Sequence, residues 1–218
     1  MDGTLSKGER TSQVIVAAAY DLFLEQGFHA TSMRQIAQRA GVALGGIYNH
    51  FDSKEQIFET VLLEKHPYRQ LLQIIQSTPG ETLESFAQNA ARSLIEEMDR
   101  RPGFLKLIFI ELIEFQSAHL PHLFQTIYPQ LSPILQRFSE RRDELRDLPL
   151  PVILLSFMGT FFSYFVIKQM ATTSSVFNLE SNTLELYMDI YLHGIIDPQN
   201  AQQSDTSNSP ETKSLERL

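Results

Sequence analysis

The chain contains no cysteine, and glycine and proline supply only ten residues each among its 218. The lack of cysteine excludes disulfides and thiolate metal sites, which suits a reducing compartment. With 43% hydrophobic residues and so few glycines and prolines, the chain can bury a core in one large domain or two small ones. Its first ten residues are polar, so no secretory signal is predicted and we expect a cytoplasmic protein.

Positive charge is scarce as well. Lys and Arg number 18 against 26 Asp and Glu residues, which gives a formal net charge of −8. This balance argues against indiscriminate binding of nucleic acid, because such binding requires a basic surface. Between residues 28 and 54 the balance reverses, since Arg34, Arg39 and Lys54 outnumber Asp52. A DNA contact is therefore expected to be small and confined to this segment.

Motifs for catalysis are missing too. The sequence holds no nucleophile elbow, no glycine-rich phosphate loop after a strand and no HExxH helix. We therefore predict that the protein is not an enzyme and has no catalytic residues and no cofactor. Glu111, Glu114 and His119 lie close enough along the chain to suggest a metal site. A structural or solvated role is favoured for them, and no metal is predicted.

What the sequence does contain is a helix-turn-helix pattern. Apolar residues mark one helical face at Met33, Ile36, Ala37 and Ala40. Gly41 follows and fits the left-handed position that ends a helix. A second short segment, 43–51, turns Ile47 and Phe51 inward. Two short helices joined by a glycine turn form a helix-turn-helix, whose second helix is shaped to enter the major groove of DNA.

The residues in and around this segment match a known pattern. The matching positions are Thr31, Ile36-Ala37, Ala40-Gly41-Val42, Gly45, Ile47-Tyr48, His50-Phe51, Ser53-Lys54-Glu55 and Phe58, preceded by Ala18-Ala19, Leu22-Phe23 and Gly27-Phe28. Over residues 10–63 the chain resembles the DNA-binding domain of TetR-type transcriptional regulators. The resemblance implies an all-α protein with an N-terminal three-helix helix-turn-helix domain and a C-terminal helical ligand-binding and dimerisation domain. It also implies a regulator, in most members of the family a repressor, that binds double-stranded operator DNA as a homodimer and is released by a small apolar or aromatic effector.

Nine residues are candidates for contact with DNA: Thr31, Ser32, Leu44, Gly45, Gly46, Tyr48, Asn49, His50 and Lys54. Leu44 can touch a thymine methyl group, and Asn49 can pair with a base edge or a phosphate. Tyr48, His50 and Lys54 resemble phosphate-contacting positions of the family. Surface packing of Tyr48, internal packing of His50 and a solvated Lys54 stay open as alternatives.

The second helix departs from the usual sequence of the family. Position 43 is often a capping serine, whereas Ala43 cannot accept a hydrogen bond from the helix amides. Gly45 and Gly46 weaken the helix further, by roughly 1 kcal/mol each relative to alanine. We therefore expect burial of Ile47 and Phe51 to hold this helix, while the glycines let its backbone lie close to DNA.

Beyond the helix-turn-helix the pattern is helical throughout, with no convincing strand alternation. We predict a first helix near 10–26 and later helices near 68–77, 81–100, 103–118, 120–141, 149–170 and 180–196. The predicted domains are a flexible lead at 1–9, the helix-turn-helix domain at 10–53, the ligand-binding and dimerisation domain at 54–196, and a disordered tail at 197–218.

One uncharged run, 148–167, is as long as a membrane span. Pro149 and Pro151 at its start and the absence of flanking basic clusters argue against spanning. Together with the helix near 180–196, it resembles the two helices by which the family forms dimers. We therefore predict a homodimer through the helices near 149–170 and 180–196, and no membrane partner, over a membrane-anchored regulator.

Aromatic residues are frequent in the central helices, and some are expected to line an effector pocket. The candidates are Phe104, Phe109, Phe115, His119, Phe157, Phe161 and Tyr164. The competing hypothesis is a helical small-molecule-binding protein or enzyme whose N-terminal helices serve only as scaffold. The sequence leaves open the effector, the operator and regulated genes, the choice between repressor and activator, and whether one dimer or a pair of dimers binds.

Overall fold

The structure is a computed structural model that describes residues 6–173 and 179–195, and all regular structure in these ranges is helical. The α-helices are α1 Lys7–Gln26, α2 Met33–Ala40, α3 Leu44–Ile47, α4 Lys54–Lys65, α5 Tyr68–Ser77, α6 Leu83–Asp99, α7 Phe104–Glu114, α8 Leu120–Ile127, α9 Ser132–Glu140, α10 Leu150–Thr173 and α11 Thr183–Ile195. The all-α prediction is confirmed. The predicted tail at 197–218 and the first five residues of the predicted lead lie outside the described residues.

The chain divides into two compact units. The amino-terminal unit comprises the described residues up to Leu72 together with Glu97–Gln130. The carboxy-terminal unit comprises Gln73–Glu96 together with the described residues from Leu131 onward. The division differs from the predicted boundary after residue 53, because α4 packs closely against α1 and α7 also contacts α1.

The core of the amino-terminal unit forms where α1, α2 and α4 meet. Phe23, Ile36 and Phe58 are fully buried there.

The first helix is predicted to begin near residue 10, but it begins at Lys7, and its capping explains the difference. Ser6 accepts from the backbone N–H of Glu9 while the Glu9 carboxylate accepts from the backbone N–H of Ser6. This capping box satisfies two otherwise unpaired helix donors, so residues 7–9 are helical rather than part of a lead.

Gly41 ends α2 with φ 68° and ψ 28°, the left-handed conformation that the sequence predicts. The following helix, α3, is only four residues long, whereas the sequence predicts a segment that extends to residue 51. Its N-cap, Ala43, makes no side-chain capping bond. Two buried side chains hold the segment instead, since Ile47 is 0% exposed and Phe51 is 5% exposed.

Two predicted helices are interrupted or shortened. The helix predicted at 120–141 is divided by a 3-10 turn at Tyr128–Leu131. Pro129 within that turn has no backbone N–H to donate, which breaks the α-helical ladder. The helix predicted at 103–118 ends at Glu114, because Gln116 and Ser117 both adopt positive φ angles, 52° and 67°.

The carboxy-terminal unit is organised by the packing of α10 against α11. The hydroxyl of Tyr191 on α11 donates to the backbone oxygen of Ile153 on α10 over 2.9 Å, and burial raises the pKa of this tyrosine. Among the described helices, α10 is long and apolar enough to cross a membrane by length and composition, with a mean hydropathy of 2.0. One such helix is weak support for a membrane span. Only 22% of its apolar stretch is fully buried within the chain, and Leu155 and Met158 are exposed on it.

Candidate nucleic-acid interface

The segment around α3 has a buried face and an exposed face. Ile47 points into the core with no exposed surface. Leu44 and Tyr48 are 41% and 52% exposed, and Asn49 is exposed beside them. An apolar side chain, a phenol and an amide are therefore presented together on a short helix and the turn that follows it. This combination can contact thymine methyl groups, phosphates and base edges.

Gly45 and Gly46 lie in the middle of this exposed segment. A Cβ atom built on either glycine would meet no neighbouring atom within 4 Å. The glycines are therefore not required by close packing inside the protein. Their effect is to leave bare backbone on the outer surface, where a nucleic acid can approach closely.

The two hydroxyl residues before α2 have different environments. Ser32 is exposed and caps α2, accepting from the backbone N–H of Gln35 over 3.2 Å. Thr31 is only 2% exposed, and its hydroxyl donates to the backbone oxygen of Gly27 over 2.8 Å. The predicted direct contact of Thr31 with DNA is therefore replaced by a structural role, because its hydroxyl is bonded inside the turn between α1 and α2.

Lys54 connects the start of α4 to the turn between α1 and α2. Its ammonium group donates to the backbone oxygens of Phe28 and Thr31 over 2.6 and 2.5 Å. The same ammonium group lies 4.1 Å from the centre of the Phe28 ring. Desolvation lowers the pKa of Lys54 from its ordinary value. Two of the three ammonium donors are therefore turned toward the protein, so Lys54 is not a solvated lysine, and the predicted phosphate contact would have to use the third donor.

The remaining cations of the segment differ in availability. Arg39 forms two parallel hydrogen bonds to Glu25, over 2.9 and 2.8 Å, so its charge is compensated within the protein. Arg34 on the same helix is exposed, and no described carboxylate lies within ion-pair distance of it. Sequence reasoning counted both arginines equally and did not single out Arg34. Its position in the first turn of α2, next to the exposed Ser32, was the available signal.

His50 follows the exposed segment and is half-buried. A carbon of its ring would lie 3.9 Å from a Cβ atom at Gly8, so the ring lies beside the first turn of α1. Lys7 and Arg10 occupy that turn and are exposed. The structure therefore brings two further cations into the neighbourhood of α3, where they extend the positive surface.

Two of the predicted pocket residues, Phe115 and His119, lie in the amino-terminal unit as part of an aromatic cluster. The Phe115 ring stacks on Phe58 at 4.6 Å between centroids, and His119 lies 4.7 Å from Phe115. Phe104 of the same unit packs at 5.1 Å against His66, whose pKa is lowered to about 4 by burial. These side chains pack against one another and do not line the apolar cavity of the carboxy-terminal unit.

A narrow apolar cavity lies in the carboxy-terminal unit. Its volume is about 40 Å³, which is room for roughly three water molecules. Its walls include Leu83, Phe86, Ala90, Phe138 and Phe157. Phe157 is the predicted pocket residue that lines it. Phe161 and Tyr164 are buried elsewhere on α10, and Phe109 is 39% exposed on α7.

The core, the glycine turn and the exposed α3 face together form a helix-turn-helix of the kind found in DNA-binding proteins. Residues 15–61 match the sequence profile of the bacterial regulatory proteins of the tetR family. The chain is 43% identical over 61 residues to the transcriptional repressor KstR2 of Rhodococcus jostii, covering 28% of this chain and 29% of KstR2. It is 29% identical over 124 residues to the transcriptional activator FasR of Mycolicibacterium smegmatis, covering 57% of this chain and 49% of FasR.

The fold has counterparts among solved structures. NalD, described as the secondary repressor of the MexAB-OprM multidrug efflux pump of Pseudomonas aeruginosa, superposes with a TM-score of 0.63 at 20% identity, covering 88% of this chain and 100% of NalD. Over residues 15–61 the chain is similar to the tetR family of bacterial regulatory proteins, as the resemblance in the sequence predicted. The match spans half or less of the length of KstR2 and FasR. The named relatives are regulators of transcription, in agreement with the prediction of a regulator and not an enzyme.

The position of Lys54 generates the first testable prediction. We expect Lys54→Met to lower the free energy of unfolding by about 1–3 kcal/mol, because two partly buried carbonyl oxygens lose their donor. Urea denaturation monitored by circular dichroism measures this loss. Lys7→Met, which removes an exposed lysine, is the matched control and is expected to leave stability unchanged. Equal stability of the two variants would contradict the structural role.

Proposed function

We propose that this protein regulates transcription by binding operator DNA as a homodimer and that a small apolar effector ends the binding. The observation that carries the proposal is the two-sided segment around α3. One side chain, Ile47, is fully buried, while Leu44, Tyr48 and Asn49 are displayed outward on a surface with locally positive charge. The family match over residues 15–61 supports the same reading.

In the proposed complex, α3 enters the major groove. Leu44 contacts a thymine methyl group and Asn49 a base edge, whereas Tyr48 and Arg34 bind phosphates. Gly45 and Gly46 allow the backbone to approach the DNA, and Ser32 and His50 flank the contact. Thr31 and Lys54 act indirectly, by holding the turn that carries α2. Few side chains reach the bases, so phosphate contacts contribute a large share of the affinity.

The dimer is proposed to form through α10 and α11. Large apolar side chains are uncovered on both helices, with Leu155 69% exposed on α10 and Ile190 74% exposed on α11. A second copy of the same surface would bury them, as expected for an isologous interface. The two recognition segments would then meet half-sites about one helical turn, roughly 34 Å, apart. With α10 covered in this way, the protein is proposed to work in the cytoplasm without a membrane.

The effector is proposed to enter the cavity of the carboxy-terminal unit. The cavity walls are apolar, and the Tyr191 hydroxyl beside it is already bonded to Ile153. An uncharged apolar molecule suits such walls, because a charged group would lose its hydration without gaining a partner. The cavity is small, so the effector is expected to select a more open conformer. A conformer that places the recognition segments out of register releases DNA.

Repression is proposed as the direction of regulation. KstR2 and NalD are named as repressors, while FasR is named as an activator. Release of DNA by an effector produces induction when the bound protein obstructs transcription. A reporter gene placed behind an operator selected from a random DNA library tests the direction of regulation. Deletion of the regulator is expected to raise expression of the reporter, and lowered expression would identify an activator.

The assignment of DNA contacts is tested with two variants. A preferred duplex is first selected from a random library, and binding to it and to a scrambled duplex is followed by fluorescence anisotropy over a salt series. Tyr48→Ala is expected to weaken binding to both duplexes by about tenfold, since a phosphate contact carries no sequence information. Asn49→Ala is expected to weaken binding to the preferred duplex but not to the scrambled one. If neither variant changed binding, the proposed surface would be wrong.

The dimer surface is tested with a matched pair of substitutions. Ile190 on α11 and Ile113 on α7 are both 74% exposed. Ile190→Glu is expected to convert the dimer to monomer in analytical ultracentrifugation, because a carboxylate cannot be buried in an apolar interface without a partner. Ile113→Glu introduces the same charge outside the proposed surface and is expected to leave the dimer intact. A dimer that survives Ile190→Glu would overturn the assignment, and a wild-type protein that requires detergent would favour the membrane alternative.

The cavity is tested with a neutral fluorescent probe, N-phenyl-1-naphthylamine. The wild-type protein is expected to raise the fluorescence of the probe saturably. Ala90→Leu adds bulk at the cavity wall and is expected to weaken probe binding by about tenfold. Ala17→Leu makes the same change on the exposed side of α1 and serves as the control. Unchanged probe binding in Ala90→Leu would place the site elsewhere.

A further inference from the structure

The turn between α7 and α8 has an unfavourable backbone conformation. Gln116 and Ser117 are consecutive residues in the left-handed region, with φ angles of 52° and 67°, and neither is glycine. Side chains with a Cβ atom adopt this region at a steric cost, so the surroundings must hold them there. Such turns are retained where a particular local geometry is needed.

Glu111, near the end of α7, contacts two residues of the loop between α7 and α8, Ser117 and His119. It is 0% exposed. One carboxylate oxygen accepts from the backbone N–H of His119 over 2.7 Å, and the other lies 2.8 Å from Nδ1 of the His119 ring. The backbone oxygen of Glu111 accepts from the backbone N–H of Ser117 over 3.1 Å. A single buried residue therefore fixes both the middle and the end of the turn.

The opposite side of the His119 ring faces α4. Its Nε2 atom lies 3.7 Å from a carboxylate oxygen of Glu55, in the first turn of that helix. The ring also lies 5.8 Å from Phe58, on which Phe115 stacks. The α7–α8 turn therefore packs against the beginning of α4, and α4 is the next helix after the exposed α3 segment in the chain.

We propose that Glu111 and His119 are positioning residues for the DNA-binding surface. They hold the α7–α8 turn against the first turn of α4 and so fix the orientation of the α3 segment that precedes it. A pair of packed apolar residues could fill the same space, often at no loss of stability. Hydrogen bonds to both carboxylate oxygens add direction, and direction selects one arrangement of the turn. The inference rests on the proposed function, because it concerns how well the surface binds DNA.

Other ionisable groups lie near the contact between the α7–α8 turn and α4. On α7, Glu114 lies 3.4 Å from the exposed His29 and also acts electrostatically on Lys54. On α4 and α8, Glu59 and His122 form a contact of 2.8 Å that is partly exposed. The test therefore compares variants that share all of these groups except one.

The chain offers a matched pair of variants. Glu55→Gln and Glu59→Gln each remove one negative charge from α4, and each removes the carboxylate partner of one histidine. If net charge alone mattered, both would bind DNA slightly more tightly. The proposal instead predicts that Glu55→Gln binds the preferred duplex about fivefold more weakly, while Glu59→Gln does not lose affinity. Glu55 is exposed and Glu59 is half-buried, and neither belongs to the core, so both variants are expected to fold.

Two histidine variants complete the test. His119→Gln is expected to bind the preferred duplex about fivefold more weakly than the wild type, because the contact with Glu55 is lost, whereas His122→Gln is expected to bind as the wild type does. Glu111→Gln is expected to weaken binding as well. Full affinity in both His119→Gln and Glu55→Gln would overturn the proposal. A wild-type protein that binds no duplex would instead overturn the proposed function, so the two failures are distinguishable.

Discussion

The structure of the DNA-binding surface depends on the burial of Ile47. The helix that presents the surface, α3, has four residues, two of which are glycine, and it has no side-chain cap. Such a helix would not form alone, because its propensity is poor and nucleation of so short a segment is unfavourable. Ile47 and Phe51 insert into the core built by Phe23, Ile36 and Phe58, and this packing supplies what the local sequence lacks.

Around that anchor, several polar contacts fix the orientation of the neighbouring elements. The Lys54 ammonium reaches back to the turn before α2, and Thr31 is bonded within that turn. On the other side, Glu111 and His119 seat the α7–α8 turn on the start of α4. The outer surface is thus left with few side chains of its own, while the side chains behind it determine how it is held. This division explains how an acidic chain can present a small positive surface in a defined geometry.

Much of the fold could be predicted because its signals are local. The apolar spacing along α2, the left-handed position of Gly41 and the Ser53 cap of α4 are all encoded within a few neighbouring residues. Two further features also had local signals in the sequence. The Ser6–Glu9 capping box indicates the early start of α1, and Pro129, which has no backbone N–H, indicates the break before α9.

The rest could not be predicted from neighbouring residues. The acceptors of Lys54 lie 23 and 26 positions away along the chain and converge only when the turn after α1 folds. The left-handed pair at Gln116 and Ser117 contains neither glycine nor asparagine, so no residue announces it. Of the three aromatic residues of α10 predicted to line a pocket, Phe157 lines the cavity described above. The sequence could not single it out, since α10 has apolar side chains on all sides and its spacing does not say which side is inward.

Gly45 and Gly46 have a consequence for how such a protein can change its target. At both positions a new side chain would extend into open space and would meet no atom of the protein within 4 Å. Most substitutions there would also strengthen α3, because almost any residue favours a helix more than glycine does. In the proposed complex, mutations that acquire a new base preference therefore need not weaken the fold, and this short helix could change its operator without compensating changes in the core.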